Sequence, residues 1–211
     1  MARNRSVLAF GAHPDDIELG MGGTVPKLLK KGYDVQLVVA TLPCFTKTDR
    51  KEQRRREAEL SAKVLGCKPP EFLDVSPEEL SLGRRFVTVI DSLIQKYDPE
   101  EVFTQWVGDT HQDHQILTRA VMAASRRVSN LYMYEAAMPG GLTERAFRSQ
   151  LFVDVSDTVE IKRAALECFE SQEARGGHLW KDAVIARCSY RGYQMNTKYA
   201  ECFEVIKVSK W

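Results

Sequence analysis

Apolar runs alternate with helix-patterned stretches along most of the chain. The run SVLAFGA (6–12) reads as a buried strand, and a helical pattern follows near TVPKLLKKG (24–32), with Pro26 admissible in a first turn and Gly32 as its stop. DVQLVVATL (34–42) predicts a second buried strand, KEQRRREAELSAKVLG (51–66) a long helix ending at Gly66, EFLDV (71–75) a short strand and RRFVTVIDSLIQKY (84–97) a helix. EEVFTQW (100–106), DHQILTRAVMAASRRV (113–128) and NLYMYEA (130–136) continue as strand, helix and strand. This order predicts a Rossmann-like, doubly wound α/β fold with a mostly parallel sheet and right-handed crossovers. After Pro139-Gly140-Gly141 the rhythm changes. A strand QLFVDV (150–155), a helix from Ser156 through roughly Gln172, a break at Gly176-Gly177, a less regular segment and a final strand around YAECFEVIKV (199–208) are expected. No repeat or linker divides the chain, so residues 1–211 read as a single domain with a C-terminal elaboration.

One turn does not fit a purely structural reading. VLAFGAHPDDIELGMGGT (7–24) passes from buried strand to glycine-rich helix entry, yet the turn carries His13, Asp15, Asp16 and Glu18. The carboxyl end of a first parallel strand is where open α/β sheets bind ligands. A nucleotide-binding turn needs GxGxxG directly after the strand, so that bare amides meet the phosphates. Here Gly20, Gly22 and Gly23 come too late, and the acidic side chains ahead of them would repel phosphate.

A second strand-end loop carries matching chemistry: GDTHQDHQ (108–115), directly after EEVFTQW, holds His111, Asp113 and His114. Both loops leave the same rim of the predicted sheet. His13 and Asp16 in one turn, with His114 converging from the other, make two imidazoles and a carboxylate with a fourth position open. That is the ligand set of a catalytic zinc site.

The rest of the composition narrows the partners. With 30 basic and 29 acidic residues, net charge +1, the chain has no electrostatic footprint for nucleic acid. The five cysteines are scattered without a CxxC pair, which implies reduced thiols and a cytoplasmic protein. No apolar stretch is long enough for a membrane span or a signal-peptide core. Assembly into a homo-oligomer is left open by the sequence.

AHPDDIELGMGGT together with the later HQDH resembles the PIG-L/LmbE-like family of zinc-dependent N-acetylglucosaminyl de-N-acetylases. The likeness extends to RRREAELSAKVLG, KRAALECFESQ and RGYQMNTKYAECFEV, with Asn196 standing where the closing motif usually has glycine. Asn tolerates positive φ better than most residues, so that turn is expected to survive. The resemblance implies that His13, Asp16 and His114 bind Zn2+, that Asp15 is the general base, and that His111, as a protonated donor, stabilises the oxyanion. It implies too that Asp113 orients or charges His111, and that Arg54, first residue of the Arg-x-x-Glu pattern, approaches a small-molecule N-acetylated sugar substrate. Trp106 could stack on a sugar face, although rim packing is the commoner role of a strand-end Trp. Glu18 is as well explained by helix structuring as by catalysis. His178 reads as a surface loop residue beside a glycine pair able to move over the site. The implied activity is deacetylation of an amino sugar or its conjugate; an amidase acting on another amide, or a metal-dependent binding protein without turnover, are the alternatives.

Overall fold

A computed structural model of the protein describes residues 5–42, 49–76, 78–136, 143, 145–176 and 179–209; the side chains of residues 49, 50 and 174–176 are outside that description. Its elements in chain order are β1 (Ser6–Gly11), α1 (Asp16–Met21), α2 (Thr24–Lys30), β2 (Asp34–Val39), α3 (Asp49–Leu65), β3 (Glu71–Phe72), α4 (Arg84–Tyr97), β4 (Glu101–Gln105), α5 (Gln112–Ala124), β5 (Asn130–Tyr134), β6 (Leu151–Asp154), α6 (Val159–Glu167), α7 (Glu170–Gly176), α8 (Leu179–Met195) and β7 (Ala200–Val208). The seven strands form one sheet in the order β3-β2-β1-β4-β5-β7-β6. The first five are parallel, whereas β7 runs antiparallel to both β5 and β6. The chain leaves β1 for β2 on one side and returns to β4 on the other, so the crevice outside β1 and β4 is the topological switch point.

Strand alternation divides β1 between two cores. Leu8 and Phe10 pack with Ile90 and Leu93 of α4 and Leu117 and Val121 of α5 on one face. Val7 and Ala9 pack with Ile17, Met21 and Val25, and with Ala62 and Leu65 of α3, on the other. Fully buried on both faces, β1 has the continuous apolar pattern of a central parallel strand. A third cluster, Leu19, Val159, Leu166, Val184 and Ile185, seats the C-terminal helices against α1.

The predicted elements recur with shifts at their ends, and three regions differ. The short helix α1 was not anticipated: its first residues are the charged turn itself, where apolar periodicity is absent. The helix expected from Ser156 through Gln172 is two helices, because Glu57 of α3 accepts the Ser171 N–H at 2.9 Å and its hydroxyl at 2.5 Å, fixing a new helix start there. The segment expected to be less regular contains the 17-residue helix α8. Its burial is confined to Lys181, Val184, Ile185, Cys188 and Gly192, too narrow a stripe for the sequence pattern to announce. Asn196 does adopt positive φ, at 59°, just after α8.

The C-terminal motifs serve packing. Lys162 and Glu201, both buried, pair at 2.5 Å; Glu201 also accepts the backbone N–H groups of Gly23 and Thr24, and Lys162 donates to the Leu19 carbonyl. α6 and β7 thereby hold the helices that follow the charged turn. Gly20 is required there, since a Cβ would lie 2.0 Å from the ring of buried Tyr134, whose hydroxyl donates to the Phe10 carbonyl at 2.7 Å.

Candidate metal centre and active site

The turn after β1 is held to the end of β4. Gln105 accepts the Ala12 N–H through Oε1 at 2.9 Å and donates through Nε2 to Asp16 Oδ2 at 2.7 Å. The same carboxylate oxygen accepts the His13 N–H at 2.6 Å, closing the turn on itself. Between them Asp15 takes the left-handed conformation, φ 101° and ψ −26°, with its side chain free of capping duty. From the neighbouring loop His111 caps α5, its Nδ1 accepting the Asp113 N–H at 3.3 Å, and this sets His114 within the first turn.

Three side chains converge through four atoms. His13 Nδ1 and His114 Nε2 are 3.3 Å apart, His114 Nε2 is 3.3 Å from Asp16 Oδ1, and His13 Nδ1 is 3.4 Å from Asp16 Oδ2. Four ligands held tetrahedrally at about 2.0–2.1 Å from a zinc ion stand about 3.3–3.4 Å from one another. Asp16 Oδ1 is fully buried without a hydrogen-bond partner among the described residues, a donor atom that a cation would satisfy. The other ring nitrogen of both His13 and His114 is occupied as well. Asp109 Oδ2 lies 2.6 Å from His114 Nδ1, and Asp113 Oδ2 lies 2.8 Å from His13 Nε2. Such carboxylate partners fix tautomer and ring direction and raise basicity.

His111 is also close enough to contribute, since suitable atoms of His13, His111 and His114 all lie within 4.8 Å of one another. Its ring stacks on that of His114 with centroids 4.4 Å apart. The tighter spacing and the carboxylate-backed rings favour His13, Asp16 and His114 as the metal-holding set, with His111 flanking it.

The electrostatics of this cluster follow from burial and charge. Burial pushes the Asp15 carboxyl up to about 6, against the opposing pull of Arg54. Burial also opposes ionisation of Asp16, but His114 and His13 overcome it and hold Asp16 well below the usual carboxylate range. Burial opposes the charge on His114 too; Asp16 and Asp109 outweigh it and push the imidazole up to about 10. His111 goes the other way, lowered by burial and then by the positive charges of His114 and His13.

Two expected roles therefore change. The Asp113 carboxylate meets His13, not His111, because its place in the first turn of α5 aims it across the crevice; only its backbone N–H reaches His111. His111, expected as a protonated donor, is shifted away from protonation, and its Nδ1 accepts the Asp113 N–H, which leaves Nε2 as the ring nitrogen able to donate.

The two expected substrate contacts are also placed differently. Trp106 is 3% exposed, donates through Nε1 to Glu204 at 2.9 Å and packs edge-on against Phe147, so its ring belongs to the rim packing. Arg54, in α3, is buried against the turn, its Nη2 donating to the Pro14 carbonyl at 2.5 Å and standing 3.6 Å from Asp15 Oδ2. Glu18 accepts the Ser61 hydroxyl at 2.6 Å, joining α1 to α3, and burial pushes its carboxyl up to about 7. His178 lies outside the described residues. Asp109 was missed by sequence reasoning. The signal was available, an aspartate five residues before His114 in a strand-end loop, but that spacing across a loop and a helix start predicts no contact by itself.

Among the described residues no helix is long and apolar enough to cross a membrane. The four described cysteines, Cys67, Cys168, Cys188 and Cys202, are free thiols.

Comparison with known proteins bears on this arrangement. The family profile described as PIG-L, GlcNAc-PI de-N-acetylase, matches residues 8–125, a span holding both histidine loops. The chain is 31% identical to the uncharacterized deacetylase YaiS of Escherichia coli K12, over 80% of this chain and 92% of that one. It is 30% identical to the diacetylchitobiose deacetylase of Thermococcus kodakarensis, over 93% of this chain and 81% of the relative. The solved structure of GalB, the 4-carboxy-2-hydroxymuconate hydratase of Pseudomonas putida KT2440, superposes with a TM-score of 0.80 at 22% identity over 98% of both chains. The hydratase shows that this fold by itself does not decide the chemistry. With a profile match across both loops and relatives aligned over most of its length, the chain belongs to the PIG-L, LmbE-like deacetylase family.

Proposed function

We propose that this protein is a zinc-dependent hydrolase that removes the acetyl group from an N-acetylated amino sugar or a conjugate of one. The observation that carries the reading is the set of 3.3–3.4 Å contacts among His13 Nδ1, His114 Nε2 and the two carboxylate oxygens of Asp16, with the Asp15 side chain outside that set beside it. Zinc in such a site supplies Lewis acidity, polarising the amide carbonyl and acidifying water.

The protein groups divide the remaining work. Asp15, with its carboxyl near 6, is ionised at neutral pH and basic enough to take a proton from the attacking water. Having taken that proton it is a carboxylic acid of suitable strength to deliver it to the departing amine nitrogen. His111, neutral and with its Nδ1 occupied, presents Nε2–H as a donor toward the carbonyl oxygen, where negative charge grows as the carbonyl carbon becomes tetrahedral. Asp109 and Asp113 hold the His114 and His13 rings, whose other nitrogens would hold the metal. The names of the deacetylase relatives support the amino-sugar class of substrate.

The test is acetate release from N-acetylglucosamine and diacetylchitobiose by the zinc-loaded protein. Release that stops when zinc is chelated and returns when it is restored is the expected result. Zinc-loaded protein that binds these sugars without releasing acetate would overturn the assignment.

A further inference from the structure

We infer that the substrate carries an anionic group, phosphate or carboxylate, attached beyond its amino sugar, and that Arg145 is the side chain that receives it; the inference rests on the deacetylase reading of the metal-bearing site.

Arg145 belongs to the stretch that precedes β6, and that stretch is tied to the histidine loop. Thr143 pairs with Asp109 through an isolated antiparallel bridge. Asp109 is the residue whose carboxylate meets His114 and accepts the His111 N–H. Two residues beyond Thr143, the Arg145 guanidinium lies over the ring of Trp106, 5.5 Å from its centroid. Trp106 directly follows β4, the strand that delivers the histidine loop. Arg145 also bonds Glu204 of β7, which is in register with Met133 of β5. The guanidinium is thereby placed on the β5 flank of the crevice outside β1 and β4, where the part of a substrate beyond the reacting amide would extend.

Its counter-charge is shared. Glu204 is fully buried, and its Oε1 accepts Arg148 Nε at 3.2 Å, Arg148 Nη2 at 2.7 Å and Arg145 Nη2 at 2.9 Å. Its Oε2 accepts the Trp106 Nε1–H at 2.9 Å and the Arg148 backbone N–H at 3.3 Å. Arg148 thus matches the carboxylate with two side-chain nitrogens and its own backbone, whereas Arg145 adds a second positive charge through a single nitrogen. Arg191, the next guanidinium along the rim, is matched by Glu135 through bonds of 2.9 and 2.6 Å. Among the described residues, Arg145 is the cation of this group whose charge is not matched one to one. Its side chain is 41% exposed, so Glu204 and the Trp106 ring fix its direction without covering it. A guanidinium held in that way meets a phosphate or carboxylate with paired N–H donors.

The test uses the full-length zinc-loaded protein with the methyl glycoside of N-acetylglucosamine, its carboxymethyl glycoside and N-acetylglucosamine 1-phosphate. The readout is the preference, kcat/KM for an anionic substrate divided by that for the methyl glycoside in the same preparation, because a packing defect lowers all of them alike. A charged contact remote from the amide binds ground and transition states equally, so the preference falls in KM. A preference of about tenfold or more for one or both anions is expected, the size of a charge-assisted hydrogen-bonded contact, and the favoured anion identifies the group. In Arg145→Gln the preference falls to within about twofold of unity. Arg145→Lys, which keeps the charge and loses the planar fork, lies between. Raising NaCl from about 20 mM to about 500 mM lowers the preference of the parent, since the contact is partly exposed. If Arg145→Gln fails to fold, the lysine variant and the salt series carry the same comparison.

Equal kcat/KM for charged and neutral substrates in the parent would overturn the inference. A preference that survives intact in Arg145→Gln would also overturn it, since the anion would then be held elsewhere, at the metal above all. Absence of acetate release from every substrate would refute the deacetylase reading instead; calorimetric binding of N-acetylglucosamine 1-phosphate to the parent and to Arg145→Gln would then decide whether Arg145 receives the anion.

Discussion

Replacing Asp109 with Ala removes a nearly buried carboxylate bonded to the histidine loop, so its effect reports how the histidines are held. One oxygen of this carboxylate meets His114 Nδ1 at 2.6 Å and the other accepts the His111 N–H at 2.5 Å; the side chains of His114 and Asp109 are 0% and 9% exposed. Losing a buried carboxylate that orients a ligating histidine costs about 10–100-fold in metal affinity, or about 1.4–2.8 kcal/mol. The metal-free protein should suffer more, because a buried imidazole that Asp16 and Asp109 hold protonated loses one of its two counter-charges. Breaking a buried pair in that way costs about 3–5 kcal/mol. Chelator competition reads the first effect, and urea denaturation of the metal-free variant reads the second. Wild-type zinc affinity in Asp109→Ala would refute the reasoning, since it would mean that His114 is oriented by something other than the contact described.

Further expectations concern pH, packing and chain integrity. In metal-free protein the His114 pKa is raised from 6.5 to about 10, so its contribution to stability is fully present below about pH 6.5 and is lost as pH rises through about 10. Zinc must displace that proton, and affinity measured by competition should therefore climb across the same interval; a flat profile would contradict the ligand assignment. Trp106→Phe should lower the melting temperature, because Glu204 loses a buried donor at a cost of about 1–3 kcal/mol, while KM stays within about twofold; a tenfold rise in KM would restore the sugar-stacking role. Truncation after Gln172 should yield insoluble protein, since it removes β7, exposes the hydrogen-bonding edge of β5 and takes Phe203 out of the core. A soluble fragment with a cooperative melt would contradict that.

The sheet was legible because its strands are buried on both faces, and burial leaves uninterrupted apolar runs such as those of β1 and β2. Helix α4, with a clear apolar face and a left-handed Asp98 at its end, could be read to the residue. What escaped was whatever depends on contacts between distant segments. The division between α6 and α7 is set by Glu57 acting from α3, and no local pattern around Ser171 reports it. α1 begins within the charged turn and owes its place to tertiary bonds from Gln105 and Ser61.

At the site the convergence of the two histidine loops followed from topology, since both leave the carboxyl ends of the adjacent strands β1 and β4. Which carboxylate backs which imidazole did not follow. Asp113 neighbours His111 in sequence, yet the helical turn carries its side chain 2.8 Å from His13, a hundred residues away. From the C-terminal motif stretches, Lys162 pairs with Glu201 and Arg191 with Glu135 in buried or half-buried ion pairs that no local sequence pattern announces.

The most direct test of the catalytic assignment is Asp15→Asn, assayed for zinc content and acetate release in the same preparation. The substitution keeps the shape of the side chain, leaves His13, Asp16 and His114 untouched, and removes the carboxylate proposed as general base, whereas Glu18 of the same turn is engaged by Ser61. The expected result is a zinc content equal to that of the parent with kcat lowered about 10²–10⁴-fold, the usual contribution of a positioned proton-transfer group. Acetate release at the parental rate by zinc-replete Asp15→Asn would contradict the assignment.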